Sequence, residues 1–203
     1  MATSPGIPCP PKEGKVWYAP NRFEAYGEEE IEAVVACLRD GWLAPGPRTA
    51  EFERRVSAYF GKENGLMVNS GSSGNMIALA VLLAEGDIKK GDEIITPACT
   101  FSTVLAPIEQ LGLTPVFVDV ECGRYVPTVD MIMAAITPRT KCLMIPNLVG
   151  AKTDWATLRA RVEAEVEQKI WLFEDSCDTM TSRECSSYIV FSIHHMTKYF
   201  TKF

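Results

Sequence analysis

The residues best suited to chemistry follow an apolar run, Ile170–Phe173, which ends abruptly in Glu174 and Asp175. This pattern predicts a buried strand with acids at its carboxyl end, which is where ligands bind in open α/β sheets. A buried carboxylate is costly unless a cation or a protonated ring nitrogen meets it. The residues leave two interpretations open: acids that face a ligand, or acids that cap a helix after a core strand.

A second candidate is the Gly/Ser stretch Asn69–Asn75, NSGSSGN, which precedes the apolar run MIALAVLLAEG. We predict a short strand over Gly65–Val68, then a turn, then an apolar helix. Backbone N–H groups at a helix start, with serine hydroxyls beside them, bind phosphate well. The stretch is neither a Walker loop, since no Gly-Lys-Ser/Thr follows, nor a GxGxxG fingerprint. An ordinary capped helix is the alternative.

Strand-like and helical patterns alternate along the chain with short connections, which predicts a mainly parallel, doubly wound α/β sheet. Predicted helices cover 28–40, 51–60, 127–136 and 155–168, with two more after the Gly/Ser stretch and within 98–112. Predicted strands cover 65–68, 91–96, 114–120, 141–147, 170–173 and 188–193. Residues 1–15 are assigned to a flexible arm rich in proline, and residues 16–203 to one domain.

The composition argues against several classes of protein. Hydrophobic content of 47% and charged content of 23% are typical of a globular protein, and a net charge of −6 without a basic stripe argues against nucleic acid as a partner. No apolar run approaches the length of a membrane span, and the first residues lack an apolar signal core, so we expect a cytoplasmic protein without membrane contact. Seven scattered cysteines without a CxxC pair are expected to be small buried hydrophobes.

Several stretches, taken in order, resemble the sugar aminotransferase (DegT/StrS) family of pyridoxal-phosphate enzymes, which work on nucleotide-linked keto sugars. These stretches are GWLAPGPRTAEFE, NSGSSGN, GDEIITPACTFSTVLAPI, PVFVDV and FEDSCD. The resemblance runs from Trp17 to His195 and implies the large domain of fold-type I, aspartate-aminotransferase-like enzymes. It implies an N-terminal portion of such an enzyme, with the C-terminal small domain missing, and leaves the activity of the 203-residue chain open.

The resemblance implies a role for each matching residue. Gly71 and Ser72 match the turn that holds the cofactor phosphate, and Phe101 matches the aromatic that stacks on the pyridine ring. Asp175 matches the aspartate that pairs with the ring nitrogen, and Asp178 stands near the ring hydroxyl, where aminotransferases of the family have glutamine. The implied cofactor is pyridoxal 5'-phosphate (PLP) or pyridoxamine 5'-phosphate (PMP), an electron sink whose ring a nearby carboxylate keeps protonated.

The sequence departs from the family's aminotransferases where they carry the lysine that binds the cofactor covalently. His194 occupies this position, in VFSIHHMT. Together with EDSCD, it is similar to the nucleotide-sugar 3-dehydrases, which use PMP and in which the histidine removes a proton from the bound substrate. Two alternatives stay open: Lys198 is the covalent lysine after a slip in register, or His194 and His195 are surface residues.

Cys177 resembles a ligand of a [2Fe–2S] cluster that one branch of the dehydrases carries. Such a cluster usually needs four ligands, and Cys185, the later cysteine, matches none of them. A buried thiol is therefore the favoured interpretation of Cys177, and no metal site is predicted.

The resemblance implies an enzyme of deoxysugar or surface-polysaccharide biosynthesis that dehydrates a nucleotide-linked keto-deoxysugar at C-3. A nucleotide-sugar aminotransferase of the same family is the first alternative. A truncated remnant, or a protein that only binds sugar or cofactor, is the second. A homodimer is implied as well, in which residues 41–49, GWLAPGPRT, would line the partner's site unless they form a plain surface loop.

Overall fold

The structure is a computed structural model that describes residues 27–41 and 43–177, and the backbone of residues 188–191. The chain divides into two compact units, Met1–Ala44 with Ile193–Phe203, and Pro45–Ser192. The first unit contains helix α1, Glu28–Arg39, close to the predicted 28–40. Three acids occupy its first turn, where Glu30 accepts the Gly27 N–H at 2.6 Å, and Gly41 adopts a φ of 77° just beyond its end.

A parallel sheet forms the centre of the second unit. Its five strands are β1 (Glu93–Pro97), β2 (Thr114–Val118), β3 (Thr140–Pro146), β4 (Trp171–Ser176) and β5 (Tyr188–Phe191). Their spatial order is β2-β1-β3-β4-β5, and every neighbouring pair is parallel. The predicted parallel α/β sheet is confirmed, and the carboxyl ends of the strands meet at one edge.

Helices cover both faces of this sheet. The helices of this unit, among the described residues, are α2 (Pro47–Tyr59), α3 (Gly71–Ala84), α4 (Ser102–Gln110), α5 (Val129–Ala135) and α6 (Trp155–Glu165), with a 3-10 turn at Leu148–Gly150. On one face, Leu79 of α3 and Ile108 of α4 pack in the same buried cluster as Phe173. On the other, Leu158 of α6 packs in the same cluster as Leu172. Within the described residues, no helix is long and apolar enough to cross a membrane.

The segment Gly65–Val68 is not the strand that the sequence predicts. It has no strand pairing, Leu66 and Met67 are exposed, and the Met67 N–H donates to the Glu53 carboxylate of α2 at 2.8 Å. A short apolar run has the composition of a strand, but it forms one only beside a strand that can accept its hydrogen bonds. Helix α2 also begins earlier than predicted, at Pro47, because proline suits the first helical position.

Candidate functional site

Asp175 lies near the carboxyl end of β4, on the face covered by α3 and α4. Side chains alternate along a strand, so Asp175 shares the face of Phe173. The carboxylate is buried and is held through both oxygens. The Cys177 N–H donates to Oδ1 at 3.0 Å, and Nδ2 of Asn75 donates to Oδ2 at 2.9 Å. The direction of this acid is therefore set by one backbone donor and one side-chain donor.

The Gly/Ser stretch forms the start of helix α3. Ser70 caps the helix, because its Oγ accepts the Ser73 N–H at 3.2 Å, and the Ser73 hydroxyl in turn donates to Oδ1 of Asn69 at 2.7 Å. Gly71 and Ser72 are the first two helical residues, and their N–H groups have no acceptor inside the helix. The helix dipole adds a positive potential there. Such a helix start is suited to bind an anion such as phosphate.

The helix start and the acid lie side by side, although about a hundred residues separate them in the sequence. Asn75, in the second turn of α3, is the residue that donates to Asp175. A Cβ built on Gly71 would lie 2.5 Å from Sγ of Cys177, so glycine is what lets the helix approach the end of β4. One ligand could therefore meet the N–H groups at the start of α3 and the carboxylate of Asp175.

Phe101 lies at the same edge of the sheet, directly before helix α4. The residue is 52% exposed, so its aromatic side chain is accessible for stacking. The Thr103 carbonyl, two residues later, accepts from Nδ2 of Asn75 at 3.3 Å, which ties the start of α4 to α3. Oγ1 of Thr100 and Oδ1 of Asn75 are buried without a hydrogen-bond partner among the described residues.

Glu174 faces away from this site, although it is adjacent to Asp175 at the end of the same strand. Along β4 it shares the face of Leu172 and Ser176, because neighbouring side chains point to opposite sides. Nδ2 of Asn147 donates to Glu174 Oε1 at 2.6 Å, and the Ser176 hydroxyl donates to the same oxygen at 3.1 Å. This buried network joins the ends of β3 and β4, and Asp175 is the acid left for the candidate site.

Two of the predicted site residues, Asp178 and His194, lie outside the described residues, as does Lys198, so their roles stay predictions. Cys177 is half-buried against Gly71. In the ranges 27–41 and 43–177, no group of three or more His, Cys, Asp and Glu side chains is arranged to hold a metal ion.

Sequence reasoning missed Asn75, which connects α3, α4 and Asp175. A signal was present, because Asn75 is an amide at the head of an otherwise apolar helical run. A buried amide in such a run indicates a polar partner elsewhere in the fold. The sequence does not say which partner.

A surface cavity of about 380 Å³ lies away from these residues, between α5 and α6. Its charged side chains are already paired: Arg161 bonds Asp130 at 2.5 Å and Glu165 at 2.7 Å. The pair with Asp130 joins α6 to α5, and the pair with Glu165 lies within α6.

Fold and site together define a class of protein. A parallel α/β sheet whose carboxyl edge combines a helix start, an open aromatic ring and a buried acid belongs to the ligand-binding α/β proteins. The DegT/DnrJ/EryC1/StrS aminotransferase family model matches residues 24–187. The chain belongs to this family.

The chain is similar to several proteins of carbohydrate biosynthesis. It is 35% identical over 165 residues to the lipopolysaccharide biosynthesis protein RfbH of Salmonella typhimurium, a match that covers 79% of the chain and 37% of the relative. It is 38% identical over 161 residues to the dTDP-4-dehydro-2,6-dideoxy-D-glucose 3-dehydratase of Saccharopolyspora spinosa, covering 76% and 34%. The structure of E. coli GDP-4-keto-6-deoxy-D-mannose-3-dehydratase with bound hydrated PLP is similar with a TM-score of 0.73 and 28% identity, covering 81% and 42%. The chain therefore spans well under half the length of each of these relatives.

Proposed function

We propose that the chain is part of a PLP- or PMP-dependent enzyme that dehydrates a nucleotide-linked keto-deoxysugar at C-3, in deoxysugar or surface-polysaccharide biosynthesis. The observation that carries this proposal is the contact between Asn75 and Asp175, because it sets the strand-end acid beside the helix whose start suits a phosphate. Family membership and the two 3-dehydratases among the similar proteins support the same choice.

The residues of the site fit such a cofactor. The N–H groups of Gly71 and Ser72 would hold its phosphate, and the exposed face of Phe101 would hold its ring plane. The carboxylate of Asp175 would accept a hydrogen bond from the ring nitrogen and favour its protonated form. When bound, PLP or PMP supplies an electron sink for the substrate. The chain itself contributes binding, orientation and a carboxylate of fixed direction.

The choice of dehydration over transamination comes from His194 and Asp178, which resemble the dehydrase pattern. We propose that His194 serves as the base that accepts the substrate proton, since its ordinary pKa lies near neutral pH. An aminotransferase is the second candidate, favoured by the description of the family as aminotransferases. A remnant, or a protein that only binds sugar or cofactor, stays the third alternative predicted from the sequence.

A cofactor titration with matched phenylalanine variants tests the site. Phe101 and Phe117 are both phenylalanines, 52% and 51% exposed, and Phe117 lies on β2 away from the proposed ligand. We expect the 203-residue chain to bind PLP, Phe101→Ala to weaken binding about three- to tenfold, and Phe117→Ala to bind as the wild type does. Equal weakening by both variants would remove the assigned role of Phe101, and absence of binding of PLP and PMP would favour the remnant.

Two further measurements separate the activities. With PMP and a GDP- or dTDP-linked 4-keto-deoxyhexose, mass spectrometry should detect loss of water from the sugar, and His194→Asn should abolish this loss. A product that carries an amino group instead would establish the aminotransferase. After borohydride treatment in the presence of PLP, a cofactor attached to Lys198 would overturn the dehydrase assignment.

We further propose a homodimer. The outer face of α3 exposes Ile77 and Val81, and the loop before this helix exposes Leu66 and Met67. An exposed apolar face next to a site is typical of a protein interface. Sedimentation velocity of the wild type and of Ile77→Glu tests the proposed homodimer, and a wild type that sediments as a monomer would refute it.

The cytoplasmic location and the division into residues 1–15 and 16–203 stay predictions of the sequence.

A further inference from the structure

We propose that Asn75 is a positioning residue, which sets the direction of the Asp175 carboxylate and its distance from the start of helix α3. The inference rests on the proposed function, because it assigns Asn75 an effect on the PLP ring nitrogen that Asp175 would meet. Asn75 is 1% exposed, so it contacts solvent very little, and it acts on a ligand only through Asp175.

The orientation of the Asn75 amide follows from its neighbours. Nδ2 faces two acceptors, Oδ2 of Asp175 at 2.9 Å and the Thr103 carbonyl at 3.3 Å. An amide nitrogen has two N–H donors, so both are used. The reverse orientation would set the amide oxygen against two other oxygens, which is repulsive. Asn75 therefore donates to the acid.

Asn75 links the two proposed ends of the cofactor site. It lies one helical turn after Gly71 and Ser72, the proposed phosphate ligands, and it reaches the proposed ring-nitrogen ligand directly. One short side chain thus fixes the separation between the two ends of the cofactor site. This arrangement has a cost in folding free energy, because Oδ1 of Asn75 is buried without a partner among the described residues.

Asn147 provides a matched control on the other face of β4. It is also an asparagine that is 1% exposed, and its Nδ2 also donates to a buried acid, Glu174. Asn147 differs from Asn75 because the acid to which it donates, Glu174, points away from the candidate site. A change that acts only through the loss of a buried amide should therefore affect both asparagines alike.

The test measures PLP binding and the absorption spectrum of bound PLP for the wild type, Asn75→Ala and Asn147→Ala, with urea unfolding of each protein without cofactor. Loss of a hydrogen bond to a charged acceptor should raise the Kd of Asn75→Ala about tenfold. The pH midpoint of the bound-cofactor absorption should fall, because a misplaced carboxylate stabilises the protonated ring less. Asn147→Ala should lose stability and keep both the Kd and the midpoint.

Equal shifts of Kd and midpoint in the two variants, or no shift in Asn75→Ala, would overturn the inference while leaving the proposed function intact. A wild type that binds no PLP would overturn both. If Asn75→Ala does not fold, Asn75→Ser, which retains one donor, gives the same comparison with a smaller expected shift.

A double-mutant cycle with Asp175→Asn tests whether Asn75 affects PLP binding through Asp175. If Asn75 acts through the charge of Asp175, Asn75→Ala should change the Kd for PLP by less than about twofold in the Asp175→Asn background. A tenfold change there as well would show that Asn75 reaches the ligand by a different route, and would refute the assignment as a positioning residue for this acid.

Discussion

Substitution of Gly71 by alanine tests how closely helix α3 approaches the end of β4. An ideal Cβ on Gly71 would lie 2.5 Å from Sγ of Cys177, about 1 Å closer than atoms at van der Waals contact. The thiol or the helix start must therefore move. Overpacking of this kind costs about 1–3 kcal/mol, and alanine for glycine in a helix offsets about 0.5–1 kcal/mol of it. We expect Gly71→Ala to lower the free energy of unfolding by about 1–2 kcal/mol.

Urea unfolding of the cofactor-free chain, followed by circular dichroism, measures this change. Cys177→Ala removes the sulfur that the new Cβ would meet, so Gly71→Ala should cost less than about 0.5 kcal/mol in that background. Ser72→Ala is the control for the same helical turn. Ser72 is exposed, and its substitution should change stability by less than about 0.5 kcal/mol.

Two results would refute the reasoning. If Gly71→Ala is as stable as the wild type, the helix start has room for a methyl group, and the close approach to Cys177 is not what requires glycine. If the loss is equal with and without the Cys177 sulfur, the strain arises from another contact.

Three other substitutions probe the fold outside the site, each by urea or thermal unfolding. Glu93→Ala removes a buried carboxylate paired with Arg139 and should cost about 2 kcal/mol. Glu93→Gln, which keeps the shape but removes the charge, should lose most of the same stability, and a Glu93→Gln protein as stable as the wild type would argue against the ion pair. The pKa of Asp154 is lowered because it accepts the N–H and then the hydroxyl of Thr157, so Asp154→Ala should cost about 1 kcal/mol at neutral pH. That difference from the wild type should shrink as the pH falls below 3.8 and through the lowered pKa, and a difference that persists in acid would contradict the capping role. Val149 has a φ of 53° and an exposed side chain, so Val149→Gly should relieve about 1–3 kcal/mol of strain against about 0.5–1 kcal/mol of added chain entropy and raise the unfolding midpoint. A lower midpoint would show that the strain at Val149 is smaller than this entropic cost.

Much of the fold could be predicted from the sequence, because its signals are local. Apolar runs bounded by turn residues predicted the strands that became β1 to β4, and helical spacing predicted α1, α2, α5 and α6. Ser70 caps α3 through a residue three positions later, which is a contact within one turn. The segment Gly65–Val68 shows the limit of local signals. Its apolar residues have the composition of a strand, but it pairs with no strand among the described residues.

The candidate site could be predicted only in part. The Gly/Ser turn and the strand-end acid were both visible as residues, and the resemblance to a family assigned them to one cofactor. The residue types alone did not decide which acid faces the site, because Glu174 and Asp175 are chemically alike and adjacent. The family resemblance assigned Asp175, and the structure shows that the two side chains point to opposite faces of β4. The roles of Asp178 and His194 remain predictions from the sequence.

The sequence by itself determined the order of strands and helices, the residues at their ends and the family to which the chain belongs, since each of these depends on neighbours within a few positions or on motifs read in order. The tertiary structure decided the contacts that make a site of those residues: Asn75 with Asp175 and Gly71 with Cys177, each about a hundred positions apart. Such contacts depend on how far one helix can approach one strand. That distance follows from the packing of the whole sheet and its covering helices, so a local sequence pattern does not determine it.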